Sequence, residues 1–130
     1  MSRAVLDASA LLALLNRERG AEQVAEALAT GAIIGAVNLS EVVAKLADIG
    51  MPEAEIREAL EPLALDVVDF DVADAFATGL LRPLARAAGL SLGDRACLAL
   101  GRRTALPVLT ADRAWTHLAL DPGIEISLVR

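Results

Sequence analysis

Residues 3–16 read RAVLDASALLALLN, and this stretch decides the fold class. Residues 3–6 are short and apolar, as a buried strand requires. Residues 8–16 carry the Ala and Leu content of a helix, so strand passes to helix across one residue, Asp7. The same succession recurs down the chain. AIIGAV, at 32–37, reads as a β-branched buried strand and leads to a helix over 39–49. LDVVDF at 65–70, PVLT at 107–110 and the segment 124–128 supply three further strands. Helices are expected over 21–29, 52–60, 72–88, 92–104 and 112–117. Gly31 and Gly50 act as stops, Pro52 opens a first turn, and Pro83 kinks the long 72–88 helix. Short apolar strands alternating with helices predict an α/β fold: a parallel sheet of about five strands covered by helices on both faces. The chain has 130 residues and contains no linker, low-complexity run or internal repeat, so residues 1–130 are expected to form a single domain.

Composition narrows the function classes. Hydrophobic residues make up 55% of the chain, yet the apolar runs, such as that within 10–15, stop far short of the roughly 18 residues that span a bilayer. Asp7 interrupts what would be the apolar centre of a secretory signal. A cytoplasmic location, with no membrane partner, is therefore expected. Cys97 is the single cysteine, which excludes an intrachain disulfide and argues against a thiolate zinc site. The net charge of −6 argues against tight, indiscriminate nucleic-acid binding, but leaves room for a nuclease whose acidic pocket is offset by a cation. The apolar surplus points to a surface covered by a partner or a second copy.

Four carboxylates fall where helices are expected to begin: Asp7 in VLDAS, Glu41 in NLSEVV, Asp94 in SLGDRACLAL and Asp112 in VLTADRAW. Each has a purely structural explanation. Asp7 and Asp112 suit helix N-caps, and Asn38-Leu-Ser-Glu41 and Ser91-Leu-Gly-Asp94 have the spacing of capping boxes. Caps need not all be acidic, however, nor share one edge of a sheet. Parallel sheets bind ligands beyond the carboxyl ends of their strands, where Asp7 and Asp112 are expected to lie. Carboxylates gathered there repel one another, and helix N-termini help keep them ionised. That is the form in which oxygen ligands hold Mg²⁺ or Mn²⁺.

Taken in order, VLDAS, NLSEVVAKL, LSLGDRACLALG and LPVLTADRAW resemble the PIN-domain nucleases, and among them the VapC-type toxins of bacterial toxin–antitoxin modules. The resemblance spans essentially the whole chain. It implies a Rossmann-like sheet and a metal-dependent endoribonuclease that hydrolyses RNA phosphodiesters with a metal-activated water, leaving 5′-phosphate and 3′-hydroxyl ends. It also implies that Asp7, Glu41, Asp94 and Asp112 are the catalytic and metal-holding residues for one or two Mg²⁺ or Mn²⁺ ions. Ser9 matches a supporting hydroxyl, and a VapB-type antitoxin and a homodimer are the implied protein partners.

The remaining candidates carry weaker readings. Thr110 orients Asp112 or a metal water, or simply opens the turn, and Arg95 and Arg113 either meet a phosphate or are solvated or paired with carboxylates. Trp115 reads as a packing residue, Cys97 as buried structure, and the lone His117 as non-catalytic. Asp66, Asp69, Asp71 and Asp74 read as a solvated or capping run. A phosphotransfer domain with Asp7 as nucleophile is disfavoured, because position 9 is Ser9 and Lys45 is the only lysine. The main alternative is a non-catalytic PIN-like binding module.

Overall fold

The computed structural model describes residues 3–117 and 123–129. Strand β1 (Val5–Leu6) leads through Asp7 into α1 (Ala8–Leu15), and α2 (Ala21–Ala29) follows. Then come β2 (Ile33–Gly35), α3 (Ala36–Asp48), α4 (Glu53–Leu60) with a 3-10 turn at Glu61–Leu63, and β3 (Asp66–Val68). The second half runs α5 (Val72–Leu80), α6 (Arg82–Ala88), α7 (Leu92–Thr104), β4 (Val108–Thr110), a 3-10 turn (Arg113–His117) and β5 (Ile126–Leu128). The five strands form one sheet in the order β3-β2-β1-β4-β5, and every pairing is parallel. This is the α/β architecture expected from the sequence.

Successive strand residues face opposite sides of a sheet, and in β1, β2 and β4 both sides are covered. Val5, Ile33 and Val108 pack with Leu98, Cys97 and Trp115 on the face covered by α7. Leu6 and Ile34 pack with Leu11, Val24, Val42, Leu46 and Ile56 on the face covered by α1 to α4. That explains why the strands lack polar alternation. Trp115 is fully buried in the first of these clusters, which bears out its reading as a packing residue.

Several boundaries differ from expectation; the strands expected over 3–6 and 65–70 shorten to Val5–Leu6 and Asp66–Val68, and the helix expected over 112–117 is a 3-10 turn at Arg113–His117. The stretch 32–37 is strand only over Ile33–Gly35, and α3 starts at Ala36 rather than at 39. Its neighbour β1 ends at Leu6, paired with Ile34, and β3 ends at Val68, paired with Gly35, so residues beyond Gly35 have no strand partner. Strand propensity in Val37 yields to helix for that reason. The expected 72–88 helix is two helices that meet at Leu81. Pro83 has no N–H to continue α5, but fits the first turn of α6, where that N–H would be unpaired anyway. The strand expected over 124–128 is confined to Ile126–Leu128.

Candidate active site

β1 is central; the chain moves from it to β2 and β3 on one side, and β4 and β5 lie on the other. The reversal of direction leaves a crevice beyond the carboxyl ends of β1 and β4, where ligands of such sheets bind. Asp7 follows β1 directly, and Asp112 stands two residues past the end of β4. The fold therefore sets two of the sequence-predicted acids at that edge of the sheet.

Asp7 is 4% exposed and caps α1, its Oδ1 accepting the Ala10 N–H at 2.8 Å. Ser9 Oγ donates to the same carboxylate, 2.7 Å from Oδ1 and 2.9 Å from Oδ2, and Thr110 Oγ1 donates to Oδ2 at 2.6 Å. Each hydroxyl in turn accepts a backbone N–H from the segment after β4: Ala111 N–H reaches Ser9 Oγ at 2.9 Å, and Asp112 N–H reaches Thr110 Oγ1 at 3.0 Å. The two hydroxyl oxygens are 3.3 Å apart, but both protons point to Asp7. Burial pushes the Asp7 carboxyl up to about 6, against the opposing hydrogen bonds from Thr110, Ala10 and Ser9, and the Asp94 charge adds to the rise.

Glu41 projects from α3 and is half-buried. Burial raises its carboxyl above the usual range; Asn38 opposes the rise, the Asp94 charge adds to it, and Lys45 offsets it. Asp94 lies in the first turn of α7, where its Oδ2 accepts the Ser91 N–H at 2.9 Å and its own N–H reaches Ser91 Oγ at 3.1 Å. The predicted Ser91–Asp94 capping box is present. The predicted Asn38–Glu41 box is not, because α3 begins at Ala36 with Gly35 as its N-cap, which places Asn38 inside the helix. Asn38 instead uses its side chain on Glu41, a role the capping reading hid.

Asp7, Glu41 and Asp94 share one neighbourhood. The buried Cys97 thiol, one turn below Asp94 on α7, is pushed well above its usual range by burial first and then by the charges of Asp7, Asp94 and Glu41. Asp112 is exposed on the same edge, its Oδ1 accepting the Ala114 N–H at 2.9 Å, and its backbone N–H is linked to Asp7 through Thr110. Among the described residues, no three acidic, histidine or cysteine side chains stand close enough to ligate one ion directly as they are. The donor chemistry nevertheless fits a hard cation. All four side chains offer oxygen, and Mg²⁺ binds through one or two carboxylates while keeping several waters.

The secondary candidates separate. Thr110 orients both Asp7 and the Asp112 backbone. The Arg95 guanidinium reaches α5, donating from Nη1 to the Thr78 carbonyl at 3.3 Å, while its Nε is buried without a partner. Asp71 and Asp74 form a reciprocal cap on α5, Asp66 pairs with Arg3 and Asp74 with Arg103, so this run has the structural role expected of it. The side chain of His117 lies outside the described residues. Among the described residues, no helix is long and apolar enough to cross a membrane.

A profile of the PIN domain family matches residues 4–120. Comparison with curated proteins gives no significant match. Among solved structures, the fold is similar to a chain of VapBC2 from Rickettsia felis bound to a DNA fragment from their promoter. That match has a TM-score of 0.76 and 15% identity, over 98% of each chain. It is similar to a chain of DNA-bound VapBC from Salmonella typhimurium, with a TM-score of 0.74 and 20% identity over 98% of each chain. It is also similar to VapBC-5 of Mycobacterium tuberculosis, with a TM-score of 0.62 and 20% identity, covering 99% of this chain and 100% of that one. At these identities the likeness is one of fold.

Proposed function

The chain belongs to the PIN-domain family, and from that premise we propose that it is a divalent-metal-dependent endoribonuclease, the toxin of a VapBC-type toxin–antitoxin pair. One observation carries this reading. Asp7, Glu41 and Asp94 come from three separate elements: Asn38 ties Glu41 to the first turn of α7 beside Asp94, and α7 packs against β1, which Asp7 follows. Carboxylates serving only their own helices have no reason to gather there.

In this reading Asp7, Glu41 and Asp94 hold Mg²⁺ or Mn²⁺, with Asp112 at the open rim. Such an ion, when bound, offsets charge on a phosphodiester under attack and makes water a better nucleophile. The chain's own residues do the preparation. Ser9, Thr110 and the Ala10 N–H fix both oxygens of Asp7, so its orientation is set before any ligand arrives. The first turn of α7 favours the negative charge of Asp94. The RNA backbone enters from the exposed side, where Asp112 lies.

The partner assignments belong to the same proposal. The similar structures include VapBC complexes, which supports a VapB-type antitoxin. Val72, Phe76 and Leu80 are 73%, 68% and 78% exposed along one stripe of α5, surface that a second copy would cover in a homodimer. A cytoplasmic location accords with RNA as substrate.

The test is cleavage of a mixed cellular RNA pool with Mg²⁺ or Mn²⁺, with chelator, and beside an Asp94→Asn preparation made identically. Discrete cuts that require both metal and Asp94 are expected. Equal cutting by the mutant, or none by the parent, would favour the non-catalytic binding module.

A further inference from the structure

We infer that Asn38 is a positioning residue: it holds the Glu41 carboxylate on the bare α-carbon of Gly93, at a fixed offset from Asp94, and so sets how tightly the crevice takes a divalent cation. The inference rests on the proposed metal-holding role of these carboxylates.

The geometry is specific. Asn38 is 1% exposed, and its Nδ2 donates to Glu41 Oε1 at 2.9 Å and to the Gly93 carbonyl at 3.0 Å. An amide nitrogen has two N–H donors, and both are spent. Both partners are acceptors, so the orientation of the amide is fixed by chemistry: a flipped group would point its oxygen at a carboxylate and a carbonyl. The first bond joins residues three apart on α3, and the second crosses to the first turn of α7. One side chain therefore ties Glu41 to the helix that carries Asp94.

Gly93 completes the seat. A Cβ there would overlap Cδ, Oε1 and Oε2 of Glu41, so the carboxylate covers the α-carbon directly. Glycine is not required by backbone conformation at this position, which is ordinary helix. It is required by the close approach of a charged group. Asn38 and Gly93 thus act on one object, the Glu41 carboxylate, from two sides. Without the tether, Glu41 and Asp94 repel, and Glu41 has the side-chain freedom to swing away before a cation arrives. With it, the cost of holding the two charges together is met in the folded chain.

The test is calorimetric titration with Mn²⁺ alone. It uses the parent, Asn38→Leu, Gly93→Ala, Glu41→Gln and the double variant Asn38→Leu/Glu41→Gln. Circular dichroism and melting in chelator check each fold. Residues that orient a ligand from behind typically change metal affinity by about 10-fold to 100-fold. Asn38→Leu and Gly93→Ala are each expected to weaken Mn²⁺ by about 10-fold or more, and Asn38→Leu to add under about twofold once Glu41 is Gln. If Asn38→Leu does not fold, Asn38→Ser replaces it; serine is too short to span both acceptors, and the same losses are expected. Parent affinity in the Asn38 variant overturns the inference. So does an undiminished loss in the Glu41→Gln background, which would make Asn38 a general structural residue. A parent that takes up no Mn²⁺ overturns the metal reading itself, so the two failures are told apart.

Discussion

Thr110 Oγ1 lies 2.6 Å from Asp7 Oδ2 and receives the Asp112 N–H at 3.0 Å, so one hydroxyl links the acid after β1 to the acid after β4. Thr110 is fully buried, so no solvent replaces its bond to Asp7. Thr110→Val keeps the shape and removes both. A bond to a charged group contributes about 1.5–3 kcal/mol, and the lost Asp112 bond adds little because that residue is exposed, so a loss of about 2–3 kcal/mol in stability is expected in urea titrations. Because the bond lowers the Asp7 pKa, the variant's Asp7 titrates higher, and the acidic limb of its cleavage profile moves toward alkaline pH. A profile superimposable on the parent's would show that Thr110 only closes the turn.

The raised pKa of Asp7 makes the metal-free protein sensitive to pH in a defined direction. A carboxyl pushed up to about 6 in the folded chain, well above its ordinary value, binds its proton more tightly when folded. Its contribution to stability is then present at low pH and lost as pH rises through about 6. That rise in pKa corresponds to about 3 kcal/mol, and burial raises the Glu41 carboxyl as well. Asp71, held low chiefly by the Asp74 N–H, acts in the opposite sense, so the comparison must be with Asp7→Asn. In chelator between pH 4.5 and 7.5, the parent is expected to lose more stability than Asp7→Asn. With millimolar Mn²⁺ the order reverses: the cation stabilises the parent above pH 6, and this gain fades as protons compete for Asp7. Equal slopes in both proteins would remove Asp7 from the account.

The sheet and the acids were legible in the sequence for different reasons. The strands could be read because both faces are buried, so Val5-Leu6 and Ile33-Ile34 need no polar alternation. Asp7 and the Ser91–Asp94 box could be read because capping is local and has a fixed spacing. What escaped was non-local. Asn38 has the spacing of a cap, and only the early start of α3, set by where the neighbouring strands stop, turns it into a partner for Glu41. The break of the 72–88 helix at Leu81 shows the reverse case, since Pro83 pointed to the place but not to the choice between a kink and a fresh start. Gly93 carries no signal in sequence at all. Its reason is a carboxylate from another helix.

Gly101 places α7 against the sheet. A Cβ there would lie 2.5 Å from Val108 Cγ2, and Val108 is fully buried in β4. Gly101→Ala forces α7 outward or Val108 off its rotamer, and overpacking of this kind costs about 1–3 kcal/mol despite alanine's better helix propensity. Because α7 carries Asp94, the variant is also expected to bind Mn²⁺ more weakly than stability alone explains. Gly101→Ala/Val108→Ala should recover the Mn²⁺ affinity while remaining less stable, since the cavity left by Val108 is not refilled. If affinity stays low in the double variant, the seat of α7 on β4 does not govern the site.

Cys97 supplies a probe of the pocket that needs no substrate. Its thiol is fully buried and pushed well above the usual range, with the three carboxylates reinforcing burial. The thiolate is the reactive form, so labelling requires both access and ionisation. At pH 8 the folded protein is expected to resist a maleimide for hours and to react within minutes in denaturant, with mass spectrometry counting the adducts. Labelling should also be slower with Mn²⁺ than with chelator, because a cation that binds only the folded state makes opening rarer. In Asp7→Asn that protection by Mn²⁺ should largely vanish. Rapid labelling of the folded parent would contradict the placement of Cys97 beneath the acids, and equal protection in parent and Asp7→Asn would mean that the cation binds elsewhere.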